Sequence, residues 1–110
     1  MERSTGRSSV SIVWSDLDQT RIFHFSEERM EREVLRASPL DLQVLAEHLR
    51  LAGGSIVLLG PGSISQELLA LLKESHPTIA RRVVGCEVSD HPTDAEIATF
   101  ASNCFRTPVA

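Results

Sequence analysis

Apolar residues alternate in some stretches of this chain, recur every third or fourth position in others, and run unbroken in a few. From Val10 to Ser15 they alternate: Val10, Ile12 and Trp14 share one face and Ser11, Val13 and Ser15 the other, which predicts a strand. Leu17-Asp18-Gln19-Thr20 reads as a turn, and Arg21 to Phe25 as a second strand with Phe23 and Phe25 on one face. Ser26 to Arg29 is polar and turn-like. Met30 to Arg36 fits a third, half-exposed strand, although its Glu and Arg content also suits a helix.

The pattern then changes period. Ser38 as N-cap, Pro39 as first helical residue and Asp41 in the first turn predict a helix start, followed by Leu42, Leu45, Ala46 and Leu49 at helical spacing. Gly53-Gly54 stops that helix, and the unbroken run Ile56 to Leu59 predicts a strand buried on both faces. Gly60-Pro61-Gly62 breaks the chain. Ser63-x-x-Gln66 has the form of a capping box for a second helix, with Leu68, Leu69, Leu71 and Leu72 as its buried face and Pro77 at its end. Thr78 to Arg82 is a connector or a further helical turn, and Val83 to Val88 another strand. Thr93-x-x-Glu96, a second capping box, opens a last helix with Ile97, Phe100, Ala101 and Cys104 on one side.

Three strands joined by tight turns make an antiparallel meander, and strands separated by helices must run parallel to a neighbour. The expected fold is α/β: a five-stranded mixed sheet, order 3-2-1-4-5, ribonuclease H-like, with three helices. Residues 10–106 are expected to form a single domain, with 1–9 and 107–110 as tails. At 110 residues the chain is one domain's length.

Composition narrows the function classes. No apolar stretch is long enough to span a bilayer, so no membrane role is expected. The polar start, MERSTGRSS, has no signal-peptide core. Cys86 and Cys104 form no CxxC pair; they fit a reducing, cytoplasmic setting, with no metal cage and no cofactor expected. A formal charge of −4 argues against a protein that coats nucleic acid regardless of sequence. A local basic patch is still available: Arg29, Arg32 and Arg36, together with Arg3 and Arg7, are the candidates for meeting RNA phosphates, against a solvated charged face as the ordinary alternative.

In the expected topology the first, fourth and fifth strands are parallel, and their C-terminal ends share one edge, where open α/β sheets favour ligands. That edge collects Asp16 and Asp18, Gly60, Gly62 and Ser63, and Asp90 and His91. A glycine-flanked helix start offers free amides to an anion, but the loop is neither GxxxxGK[ST] nor GxGxxG, and a tight turn with a serine cap explains it as well. Asp16, Asp18, Asp90 and Asp94 are the types that hold a divalent metal for phosphodiester cleavage, and equally the types that build turns and helix starts; no carboxylate follows the fourth strand. His24, His48, His76 and His91 show no metal-ligand spacing, and Ser63 has no GxSxG elbow. No catalytic residue is assigned.

The opening VWSDLDQTRIFHF and the central GPGS…HP…ARRVVG…DHPTD resemble the small bacterial proteins labelled "translational machinery protein" over residues 10–105. That family is related in fold to the middle domain of archaeal and eukaryotic peptide-chain release factors. Three departures matter. Many relatives carry a longer, histidine-rich stretch between the third strand and the first helix, where this chain passes almost directly from Val34-Leu35 to Ser38-Pro39. Leu17 stands where the family's first strand carries a histidine, and the release factors' GGQ tip is missing, since Gly53-Gly54 is followed by Ser55. Peptidyl-tRNA hydrolysis by that device is excluded.

The resemblance implies a non-enzymatic, translation-associated module that binds ribosomal RNA or a ribosomal partner. Two other readings stand beside it: a metal-dependent nuclease or phosphate-ester hydrolase at the shared strand edge, and a small-anion-binding sensor or scaffold using Gly60, Gly62 and Ser63. The apolar fifth strand needs cover from the last helix or from a second copy, so a homodimer is also expected as an option.

Overall fold

The computed structural model describes residues 9–16, 18–26, 30–35 and 41–105. The strands are β1 (Ser9–Ser15), β2 (Thr20–Ser26), β3 (Met30–Leu35), β4 (Ser55–Gly60) and β5 (Val83–Val88). The helices are α1 (Leu42–Ala52), α2 (Ile64–Ser75), the single turn α3 (Pro77–Ala80) and α4 (Asp94–Phe105). The strands hydrogen-bond in the order β3-β2-β1-β4-β5. The β1–β2 and β2–β3 pairs are antiparallel, and β1–β4 and β4–β5 are parallel. Met30–Leu35 is therefore a strand, resolving the strand-or-helix ambiguity of that segment.

Alternation in β1 divides the core. Val13, with Ile22, Ile56 and Leu58, faces α1, α2 and α3, where Leu45, Leu49, Leu68, Leu72 and Ile79 cover it. Val10, Ile12 and Trp14, with Phe23, Phe25, Val57 and Leu59, face the other way, against Ile97 and Ala101 of α4. Three helices thus cover one face, and among the described residues α4 alone covers the other. Ile56, Val57, Leu58 and Leu59 are all buried, as an unbroken apolar run in a central parallel strand should be.

Local signals act with four corrections. α1 begins at Leu42 rather than near Ser38, because Asp41 is the cap: its backbone is extended, and its carboxylate accepts from the Gln43 and Val44 amides at 3.0 and 3.2 Å. Ser38 and Pro39 lie outside the described residues. Ser63 does not close a capping box with Gln66. Its hydroxyl donates instead to Glu67 Oε2 at 2.8 Å, a nearby carboxylate outcompeting the helix amides. Leu71 is exposed on α2 rather than buried. The connector after Pro77 is helical, giving four helices among the described residues where three were expected. The Thr93–Glu96 box forms as expected, the Thr93 amide donating to Glu96 Oε1 at 2.8 Å and the Glu96 amide to Thr93 Oγ1 at 3.1 Å.

Gly60 is held by close backbone approach. A Cβ there would lie 2.5 Å from the Ser15 carbonyl oxygen, at the end of β1. A Cβ on Gly85 would meet only Val57 Cγ1, at 3.9 Å. Gly60→Ala is therefore expected to cost about 1–3 kcal/mol in urea unfolding, as overpacking against rigid backbone does. Gly85→Ala should be neutral or stabilising by up to about 1 kcal/mol, through reduced freedom of the unfolded chain.

Candidate functional site

The C-terminal ends of β1, β4 and β5 meet around Trp14. The indole is 1% exposed and its Nε1–H donates to the Ser89 carbonyl at 2.9 Å. Arg21 sits directly across from Trp14 in the β1–β2 register. Its guanidinium carbon lies 4.9 Å from the centre of the Trp14 ring and 5.9 Å from that of Phe23. From there Arg21 Nη1 donates to Asp94 Oδ1 and Nη2 to the Pro92 carbonyl, both at 2.8 Å. The β1–β2 hairpin therefore grips the segment between β5 and α4 at both ends. Asp94 also places a carboxylate in the first turn of α4, where the helix dipole favours it.

Asp16 and His91 come together here. His91 lies over Trp14, ring centres 5.1 Å apart and tilted by 51°, and its Nε2 is 3.9 Å from Asp16 Oδ2. Asp16 is first a turn-builder: its Oδ1 accepts from the Asp18 and Gln19 amides at 2.9 and 2.7 Å. The Gln19 amide bond is the main cause holding the Asp16 carboxyl below the ordinary aspartate value, with desolvation opposing it. His91 is 73% exposed.

Other sequence candidates separate from this cluster. The Gly60 carbonyl accepts from the Ser89 amide at 2.8 Å, so Gly60 joins β4 to the exit of β5. Gly62 has a positive φ of 57°, and turns the chain into α2. Ser63 is bonded to Glu67, whose carboxylate already occupies the first turn of α2. A second negative group would be repelled there, which counts against an anion site. Of the histidines read as scattered, His24 Nδ1 lies 2.9 Å from Ser11 Oγ. Cys86 is half-buried, and desolvation raises its thiol pKa. Among the described residues, no group of three or more His, Cys, Asp or Glu side chains is placed to hold a metal ion. No helix among them is long and apolar enough to cross a membrane. Arg3, Arg7, Arg29 and Arg36 lie outside the described residues; Arg32 lies on β3, its side chain outside the described ones.

Beside the Trp14 cluster is a cavity of about 380 Å³ between β5, the segment after it, and α4. Leu59, Ile97 and Phe100 supply its apolar wall, and Glu87, Asp90 and Glu96 its acidic one. Asp90 and His91 both line it, whereas Asp16, Gly60, Gly62 and Ser63 do not. Sequence reading missed Arg21, Glu87 and Phe100. The signal for Arg21 was available: the short connection expected between the first two strands sets a hairpin register that pairs Trp14 with it.

Two substitutions test the cluster. Arg21→Ala is expected to cost about 1–2 kcal/mol, since a part-buried charge-assisted pair and a ring contact are lost. It should also red-shift the emission of Trp14, the chain's single tryptophan. Asp16 has a depressed folded pKa, so its stabilisation is complete above the ordinary value of 3.8 and is lost as pH falls through the folded value. Urea unfolding at a series of acid pH values should show a shallower loss of stability in Asp16→Asn.

No family model matches the chain. No curated protein matches it either. Solved structures do. Archaeoglobus fulgidus Pelota superposes with a TM-score of 0.65 at 17% identity, covering 90% of this chain and 32% of that one. An archaeal translation termination factor, aRF1, gives 0.56 at 13% identity, covering 92% and 35%. Dom34 of S. cerevisiae, described as a translation termination-like factor involved in RNA quality control pathways and interacting with Hbs1, gives 0.56 at 9% identity, covering 91% and 36%. The chain spans about a third of the length of each of these proteins. At such identities the likeness is one of fold, and the fold is that of a domain found in translation termination-like factors.

Proposed function

We propose that this domain is a translation-associated module that acts by binding a ribosomal partner, without a chemical step of its own. The observation that carries the reading is the fold shared with Pelota, aRF1 and Dom34 over some nine-tenths of the chain. The residues at the sheet edge support binding over chemistry. Asp16 is engaged in its turn, Ser63 in its helix, and Trp14 and Arg21 in fixing the segment after β5. The sequence also has no GGQ, so a release-type hydrolysis is not part of the proposal.

Between ribosomal RNA and a ribosomal protein, charge favours the protein at this edge. Asp16, Asp18, Glu87, Asp90 and Glu96 gather where strands β1 and β5 end, and phosphates would be repelled. Contact with RNA would fall to Arg3, Arg7, Arg29, Arg32 and Arg36.

Ribosome co-sedimentation across a salt series tests the reading. Association with one subunit at low salt is expected, with the partner identified by mass spectrometry of what co-sediments. Joint substitution of Arg29, Arg32 and Arg36 by glutamine should weaken it and flatten its salt dependence if RNA is contacted, and leave it unchanged if the partner is protein. Absence from ribosomal fractions even at low salt would remove the proposal.

A further inference from the structure

We propose that the outer edge of β5, with the cavity beside it, is a docking site for an extended protein segment carrying lysine or arginine. This goes beyond the ribosomal reading and does not require it. Three observations carry it. β5 ends the sheet, and among the described residues no strand pairs with its outer side. The Ser89 amide points inward to the Gly60 carbonyl, so by alternation the backbones of Cys86 and Val88 point outward, as donors and acceptors for an added strand. Val84 and Val88, 68% and 70% exposed, offer apolar contact along the same edge.

The second observation is the cavity. On the α4 side, β5 presents Gly85 and Glu87, and neither fills the space below α4. The cavity of about 380 Å³ that results has apolar residues inside, Leu59, Ile97 and Phe100, and carboxylates at Glu87, Asp90 and Glu96. A long aliphatic stem ending in a cation matches that order: the stem lies along the apolar wall and the charge meets the carboxylates.

The third observation is charge. Among the described residues, the one engagement of these three carboxylates is that of Glu96 with the Thr93 amide, and no described arginine or lysine is paired with any of them. A lysine or arginine on an added strand, opposite Glu87, would be the missing counter-charge at cross-strand distance. A second copy of this chain fits less well. Self-pairing along β5 would bring the acidic groups of two copies, Glu87 and the neighbouring Asp90, toward each other, like charge against like.

The probe is a short peptide alternating valine and lysine, followed by heteronuclear NMR on the full chain. The Cys86 and Val88 amides are expected to shift and to gain protection from exchange as peptide is added. Replacing the peptide's lysines by glutamate should abolish binding, and so should N-methylation of its backbone. The double variant Glu87→Gln with Asp90→Asn changes only exposed groups; it should bind roughly fivefold more weakly, and added salt should have the same direction of effect. Four results would each overturn the proposal. They are no protection of these amides at millimolar peptide, binding indifferent to N-methylation, protection of the same amides by a short RNA instead, and protection by concentration-dependent dimerisation without peptide. Ribosome co-sedimentation is read separately, so the two proposals fail independently.

Discussion

A buried indole has one N–H to satisfy, and in this fold the partner of Trp14 is the carbonyl of Ser89, 75 residues later in the chain. That bond joins the end of the first strand to the exit of the last. Arg21 builds on it: held against the Trp14 ring by its place across the hairpin, it reaches Asp94 and the Pro92 carbonyl and fixes where α4 begins. α4 in turn closes one face of the sheet over Val10, Ile12 and Trp14. The position of that helix, and of the residues lining the space beneath it, therefore depends on a tryptophan–arginine pair set by the β1–β2 register.

The two faces of the sheet are covered unequally, and this has a local consequence. α1, α2 and α3 supply large aliphatic residues to one side, whereas α4 lies over the middle of the other. Burial of apolar surface drives helices onto the most apolar strands, here β1 and β4 rather than β5. β5 compensates by presenting Gly85 and Glu87 on the thinly covered face instead of large apolar residues. A glycine and a carboxylate leave volume and charge where a leucine pair would have left a filled core. The cavity is thus a product of how few apolar side chains β5 contributes.

Much of this architecture was legible in the sequence, because it is written in short-range pattern. The alternation of Val10, Ile12 and Trp14, the unbroken run at Ile56 to Leu59, the helical spacing of Leu45 and Leu49, and the Thr93–Glu96 box all act through neighbours within four residues. Cap choice was less legible where two partners compete: Asp41 takes the start of α1 because an ionised carboxylate can bond two amides at once, and Glu67 of α2 takes the Ser63 hydroxyl in place of that helix's amides. The candidate site was legible only as an edge. Asp16 and His91 do meet there, but Gly60 is a packing glycine, and the role of Arg21 depends on partners 71 and 73 residues away. No local pattern encodes such a pair; only the hairpin register narrows it.

Fold and surface chemistry lead to different parts of the functional argument. The fold is shared with domains of Pelota, aRF1 and Dom34, at identities too low to carry a surface from one protein to another. Surface chemistry must then decide what is bound, and at the sheet edge it is acidic: Glu87, Asp90 and Glu96 around an apolar hollow, Asp16 and Asp18 beyond it. Nucleic acid is an unfavourable neighbour for such an edge, because each phosphate adds repulsion that grows as salt is lowered. A basic polypeptide is a favourable one, for the same reason with the sign reversed. On the reading proposed above, the acidic edge favours protein over RNA among ribosomal components, and among the described residues no strand pairs with the outer side of β5.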